Sequence, residues 1–328
     1  MEKIAIIGSG SWGTALGIYL AKRGKMISIW SFNEEEKNEI NIQRKCRYLP
    51  EVELPENINC STSFEEVIND AKIIIHVTPS KFTRETIKKY KQYVKENQIL
   101  IMCSKGFESS TLLPLNKVVE QELPNIKYAN LSGPSHAEEV SRGIPTAMVT
   151  ASEDEKINDI VTNLFRSEVM KVYSTTDLKG VEIGGTFKNI IAFCAGIISS
   201  LGYGDNTYAA LLTRGLAEIT RLGIAMGAEE KTFYGLTGLG DLIVTCGSKH
   251  SRNRKAGELI GKGINVEETK KQIGMTIESI DNIEVAFKLK EKYNIYMPIV
   301  DSIYNVLYNN LNAKDAVSNL MLSTTKFE

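Results

Sequence analysis

Gly8-Ser9-Gly10-Ser11-Trp12-Gly13 follows the apolar run Ile4-Ala5-Ile6-Ile7 directly and precedes Thr14 to Arg23, a stretch with helical spacing that leads to a second apolar run at Met26. A strand that ends in G-x-G-x-x-G and opens a helix is the turn that seats the pyrophosphate of a dinucleotide. Gly8 permits the tight turn, Gly10 lets the backbone approach the phosphates, and Gly13 lets helix and strand pack closely, with the helix N-terminus facing the anion. In a chain with 25 glycines the bare pattern is weak. Its placement between two strand runs gives it weight.

Outward from this turn, β-branched runs alternate with amphipathic stretches to about residue 175: Ile4-Ile7, Met26-Trp30, Ile73-Val77, Ile99-Met102, Tyr128-Leu131, Thr146-Thr150 and Val169-Tyr173. That βαβ rhythm predicts an α/β protein whose first domain, residues 1-178, is a Rossmann-type doubly wound parallel sheet binding a dinucleotide. Ser63-Phe64-Glu65-Glu66 has the form of a capping box, Ser63 capping the helix while Glu66 reaches back. From Asp177 on, helical patterns take over at Leu178-Leu201, Tyr208-Met226, Ile277-Tyr293 and Pro298-Leu311. They predict an all-helical C-terminal domain, residues 179-328, that binds substrate and carries the catalytic groups.

Composition narrows the function further. The 328 residues suit two domains, and 42% hydrophobic with 24% charged residues is ordinary globular composition. With 39 Lys plus Arg against 40 Asp plus Glu, the net charge of -1 supplies no global field for nucleic acid or an anionic membrane, so neither is an expected partner. Five scattered cysteines (Cys46, Cys60, Cys103, Cys194, Cys246) without a C-x-x-C pair argue against a disulfide framework and for a reducing cytoplasm. The apolar run before Gly8 is too short for a signal peptide, and Ile190 to Gly202 falls short of a membrane span and reads as a core helix. Three histidines without ligand spacing give no metal site, and His76 reads as a core residue.

Where an acidic residue would bind the ribose of NAD, or a basic one the extra phosphate of NADP, the chain has Trp30-Ser31-Phe32-Asn33. Glu34-Glu35-Glu36 comes slightly late and fits the first turn of a helix capped by Asn33. The choice between NADH and NADPH stays open at this point.

Two charges stand alone in apolar sequence. Lys188 is the only side chain charged at neutral pH between Glu182 and Asp205, and Asp241 the only one between Lys231 and Lys249. Burial lowers the pKa of an amine, which suits a proton shuttle, and a buried carboxylate needs a cation; Lys188 and Asp241 are therefore expected to pair. A purely structural pair is the alternative. Ser104-Lys105-Gly106 and Gly133-Pro134-Ser135-His136-Ala137 follow strands at the carboxyl edge of the sheet, where open α/β proteins bind ligands, and Ser135 is placed to cap the next helix. Lys249-His250-Ser251-Arg252-Asn253-Arg254-Lys255 precedes a helical pattern, where a phosphate would sit on the helix N-terminus in the grip of Arg252.

Together, Gly8-Ser-Gly-Ser-Trp-Gly-Thr-Ala-Leu16, Ser104-Lys-Gly106, Gly133-Pro-Ser-His-Ala137, Gly185-Thr-Phe-Lys-Asn-Ile-Ile191, Gly238-Leu-Gly-Asp241 and Ser251-Arg-Asn-Arg254 resemble the bacterial-type NAD(P)-dependent sn-glycerol-3-phosphate dehydrogenases, in the family's order from Ile4 to about Ala286. The resemblance implies hydride transfer between NADH or NADPH and C2, interconverting dihydroxyacetone phosphate and sn-glycerol 3-phosphate for phospholipid synthesis. Lys188 matches the family's general acid/base. Lys105 matches a residue that polarises the carbonyl or holds substrate, and Asp241 one that orients Lys188 and the substrate hydroxyls. Gly133, Ser135, Ser251, Arg252 and Asn253 match substrate contacts. Ser11, Trp12, Ala137, Arg252 and Glu278 match cofactor contacts, beside Gly8, Gly10, Gly13 and Lys105. A homodimer through the helical domain is the expected assembly, although hydrophobic periodicity does not separate an intersubunit face from a core face. Two departures stand out: no basic residue at Phe32-Asn33, and His136 where phenylalanine is commoner. A hydroxyacid dehydrogenase of the 6-phosphogluconate type would need a second anion clamp, and a non-catalytic dinucleotide sensor would not need Lys105, Lys188 and Asp241.

Overall fold

A computed structural model describes residues 2 to 323. The chain forms two compact units. Among the described residues, one takes those up to Lys105 together with Pro114–Val181; the other takes Gly106–Leu113 together with those from Glu182 on.

The first unit is built on an eight-stranded sheet. Its strands are β1 (Lys3–Ile7), β2 (Met26–Trp30), β3 (Ile58–Ser61), β4 (Ile73–His76), β5 (Ile99–Met102), β8 (Lys127–Ser132), β9 (Thr146–Ala151) and β10 (Met170–Thr175), in the order β10-β9-β8-β5-β4-β1-β2-β3. The short pair β6 (Phe107–Glu108) and β7 (Leu113–Pro114) forms a separate ribbon. The central strands read as unbroken apolar runs because both faces are covered. Ile4 and Ile6, Ile73 and Ile75, Ile99 and Ile101 point into one core, whereas Ala5, Ile7, Ile74, Leu100 and Met102 point into the other. The sheet is parallel with one exception, since β8 and β9 run antiparallel with Leu131 opposite Thr150. The expected parallel run fails there for lack of chain. The helix between these strands, Ala137–Arg142, spans about 9 Å, too little to return along a six-residue strand of about 20 Å. The eleven-residue helix Glu155–Phe165 is long enough, and β9 and β10 are parallel.

The capping box is half formed. Ser63 Oγ accepts from the Glu66 N–H at 3.3 Å, but the Glu66 carboxylate takes the Ser61 hydroxyl at 2.5 Å instead of reaching back. Asn33 caps the helix Glu34–Asn38 as expected, through its Oδ1 to the Glu35 N–H at 2.7 Å.

The second unit is helical and packs around the helix Leu178–Ser200, whose apolar stretch is 94% buried and is a core helix as its composition suggests. The expected division at 178/179 falls in the first turn of this helix. Glycines set the depth of one crossing. A Cβ on Gly196 would lie 1.9 Å from the Arg254 carbonyl oxygen, and one on Gly257 1.8 Å from that of Phe193, so Leu178–Ser200 and the helix Arg252–Gly261 meet backbone to backbone. The segment Gly106–Leu113 joins this unit by burying Phe107 against Phe187, ring centroids 5.3 Å apart.

Candidate active site

In the sheet unit, the connections after β1, β4, β5 and β8 are among those that leave the carboxyl edge. The glycine turn after β1 has the geometry its sequence requires: Gly8 takes φ +124°, open to glycine, and a Cβ on Gly13 would strike the Gly8 carbonyl oxygen at 2.1 Å. Above Gly10, none of the described residues lies within 4 Å of where a Cβ would stand. Gly10 is also the N-cap of the helix Ser11–Lys22, with no side chain capping it, so the first N–H groups of that helix, at Ser11 and Trp12, face the space over the turn. This is a cradle for a pyrophosphate, and the residues present fit a dinucleotide.

After β5, Ser104 Oγ donates to the Thr78 carbonyl at 2.5 Å, and Lys105 Nζ lies 3.4 Å from the Gly133 carbonyl. The Lys105 and Gly133 loops are thus brought together. Gly133 again needs its freedom, with φ +121° and the Met148 Cα 3.1 Å from its would-be Cβ. Ser135 does not cap the next helix: its hydroxyl turns back to the Gly133 carbonyl at 3.0 Å, and His136 holds the N-cap position before Ala137. His76 is a buried core residue, bonded to Thr78 Oγ1 at 2.7 Å and Tyr90 Oη at 3.2 Å. Desolvation holds its pKa down at about 3, so the ring is neutral.

In the helical unit the expected pair is formed. Lys188 is 5% exposed and Asp241 1%. Lys188 Nζ donates to Asp241 Oδ1 at 2.5 Å and to Thr245 Oγ1 at 2.6 Å. A single wide turn over Leu236–Gly240 delivers Asp241 to the start of the helix Asp241–Gly247. Thr245 follows one helical turn later on the same face. Sequence reasoning missed it, although a hydroxyl four residues after a buried carboxylate is a readable signal.

Glu278 accepts from Asn189 Nδ2 at 3.0 Å, which ties it to the neighbour of Lys188. The Asn253 side chain accepts the Ser279 N–H at 3.0 Å. Ser251 caps Arg252–Gly261 through the Arg254 N–H at 3.2 Å, and Arg252 donates to the Thr276 carbonyl at 3.2 Å. Lys249, His250, Ser251, Arg252 and Lys255, together with Leu259, Gln272 and Ile273, line a hollow of about 310 Å³ that is basic on its polar side.

A dinucleotide turn in one unit and a buried amine with a basic basin in the other are the parts of a nicotinamide-dependent oxidoreductase of small anionic substrates. Residues 3–158 match the family model of the NAD-dependent glycerol-3-phosphate dehydrogenase N-terminus, and residues 177–318 that of its C-terminus. The glycerol-3-phosphate dehydrogenase (NAD(P)+) of Agathobacter rectalis is 47% identical, over 100% of this chain and 98% of that protein. Its namesake in Fusobacterium nucleatum is 46% identical over 100% and 99%. The crystal structure of the glycerol-3-phosphate dehydrogenase of Coxiella burnetii superposes with a TM-score of 0.95 at 34% identity, covering 98% of this chain and 99% of that one. The chain therefore belongs to the NAD-dependent glycerol-3-phosphate dehydrogenase family, and it interconverts dihydroxyacetone phosphate and sn-glycerol 3-phosphate with NAD(P)H. A ketopantoate reductase from Ralstonia eutropha, at 12% identity and a TM-score of 0.60, shares the fold alone.

Proposed function

We propose that Lys188 is the general acid/base of this reaction, that the sheet unit supplies most of the cofactor contacts, and that the helical unit supplies most of the substrate contacts. The buried Lys188–Asp241–Thr245 cluster carries the reading. When bound, the nicotinamide cofactor would supply the hydride for C2. Lys188 then gives its proton to the oxygen on C2, and in the reverse direction it takes the hydroxyl proton. Asp241 and Thr245 fix where the amine points. Lys105 polarises the carbonyl or holds the substrate. Gly133, Ser135, Ser251, Arg252 and Asn253 take the substrate, the last three with its phosphate at the start of a helix. Gly8, Gly10, Ser11, Trp12, Gly13 and Ala137 take the cofactor along with Lys105, Arg252 and Glu278.

The physiological role we assign is supply of glycerol 3-phosphate for phospholipid synthesis, by a cytoplasmic homodimer formed through the helical unit. Five cysteines held as buried free thiols support a reducing compartment. A net charge of -1 and the burial of Leu178–Ser200 support a protein with no nucleic-acid partner and no stable membrane insertion.

The test follows loss of nicotinamide absorbance with dihydroxyacetone phosphate, with dihydroxyacetone as the phosphate-free control. Lys188→Ala should lose turnover and keep cofactor binding; turnover retained in that variant would overturn the assignment. Light scattering at the mass of one chain would overturn the dimer.

A further inference from the structure

The glutamate run after β2 does not all face solvent. Glu36 turns inward and is 5% exposed. Its Oε2 accepts hydrogen bonds from the hydroxyls of Ser9 and of Ser31, the latter at 2.8 Å, and its Oε1 accepts from Tyr48 Oη at 2.9 Å. Three hydroxyl donors converge on one carboxylate and fix its place and orientation. Ser9 sits inside the glycine turn, between Gly8 and Gly10, and Ser31 is the first residue after β2. These two positions flank the place where the adenosine ribose of a seated dinucleotide lies. The carboxylate lies one hydrogen bond behind each of these two positions.

Three cations of the same segment, Lys37, Arg44 and Arg47, are turned to other work. Lys37 is paired with Glu34 at 3.0 Å, and Arg47 with Glu35 at 3.1 Å and Glu39 at 2.5 Å. Arg44 donates to the carbonyls of Ile58 and Pro55, and Lys45 is exposed. A 2′-phosphate at this edge would therefore bring nearly two negative charges toward a fixed, buried negative one, whereas a free 2′-hydroxyl would meet a field that welcomes a donor.

We propose that Glu36, held by Ser9, Ser31 and Tyr48, sets the nucleotide preference of this enzyme in favour of NADH by repelling the 2′-phosphate of NADPH. The proposal rests on the reading that the glycine turn holds the cofactor. Glu36 acts by its charge from behind two serines, so it is a specificity-determining residue and not a catalytic one.

The experiment is equilibrium binding of NADH and of NADPH, read by nicotinamide fluorescence without substrate, on the full chain and on Glu36→Gln and Tyr48→Phe, with circular dichroism confirming the fold of each. The unaltered protein should bind NADH at least about tenfold more tightly than NADPH. Glu36→Gln should close most of that gap, chiefly by gaining affinity for NADPH. Tyr48→Phe removes a donor but keeps the charge, and should preserve the gap. If Glu36→Gln does not fold, a salt series on the unaltered protein decides: repulsion predicts that the gap narrows as salt rises, whereas a cationic phosphate seat predicts that NADPH binding weakens the more. Equal binding of the two nucleotides, or a gap untouched by both Glu36→Gln and salt, would overturn the proposal while leaving the dinucleotide site intact. Binding of neither nucleotide would refute the site itself, and the proposal with it.

Discussion

Removing the carboxylate of Asp241 should cost the helical unit far more than removing the whole ion pair. The group is 1% exposed and lies 2.5 Å from Lys188 Nζ, so Asp241→Ala strands a buried ammonium without its counter-ion. Breaking one partner of such a pair costs about 3–5 kcal/mol, because the lone charge keeps its desolvation penalty and loses its attraction. At roughly 2–4 °C per kcal/mol for a unit of this size, the unfolding midpoint should fall by about 10 °C. The double variant Lys188→Met with Asp241→Leu removes charge and counter-charge together, and should sit within about 1–2 kcal/mol of the starting protein. The assay is thermal and urea unfolding of Lys188→Met, Asp241→Leu and their combination as a double-mutant cycle, with Asp241→Ala measured beside them. If Asp241→Ala loses less than about 1 kcal/mol, or the double variant is as damaged as the single, the pair is not the buried, mutually dependent unit described above.

Gly13→Ala should lose dinucleotide binding and about 2 kcal/mol or more of stability, since the new methyl would meet the Gly8 carbonyl at 2.1 Å; calorimetric titration with cofactor checks it. His76 is held at about 3 by burial, below its ordinary 6.5, so the unfolded chain takes up a proton that the native one refuses. Stability should therefore fall as pH drops from about 6.5 toward 3, by up to about 5 kcal/mol, and His76→Gln should flatten that limb of a stability–pH curve. Glu218 acts in the opposite sense. Burial raises it to about 7 against the opposing pull of the Ile299 and Val300 N–H bonds, so the native state favours the protonated form. Its contribution is present below about 4.5 and lost as pH rises through about 7, some ~3 kcal/mol that a Glu218→Gln variant should not show.

What the sequence disclosed followed from how strongly each feature was set apart from its surroundings. The strands buried on both faces announce themselves as apolar runs, and β1 with its glycine turn is readable almost atom by atom. β3 escaped notice because Ile58–Ser61 is an edge strand with alternating burial, too short and polar to stand out. The reversal of β9 was hidden because composition records which residues are buried and not which way a strand runs. Lys188 and Asp241 were legible as solitary charges in apolar text. Glu36 was not, because its inward turn depends on hydroxyls of Ser9, Ser31 and Tyr48, brought together from three parts of the chain.

The excursion of Gly106–Leu113 bears on modularity. The backbone passes from one unit to the other after Lys105, after Leu113 and after Val181, so neither unit is a continuous stretch of chain. A gene cut at residue 181 would yield a helical piece deprived of Phe107, which leaves the Phe187 ring facing a void, and a sheet piece trailing an orphaned apolar loop. Such halves are poor candidates for separate expression or for shuffling onto other partners. Because the chain is shared in this way, a single cut anywhere leaves at least one of the two units incomplete.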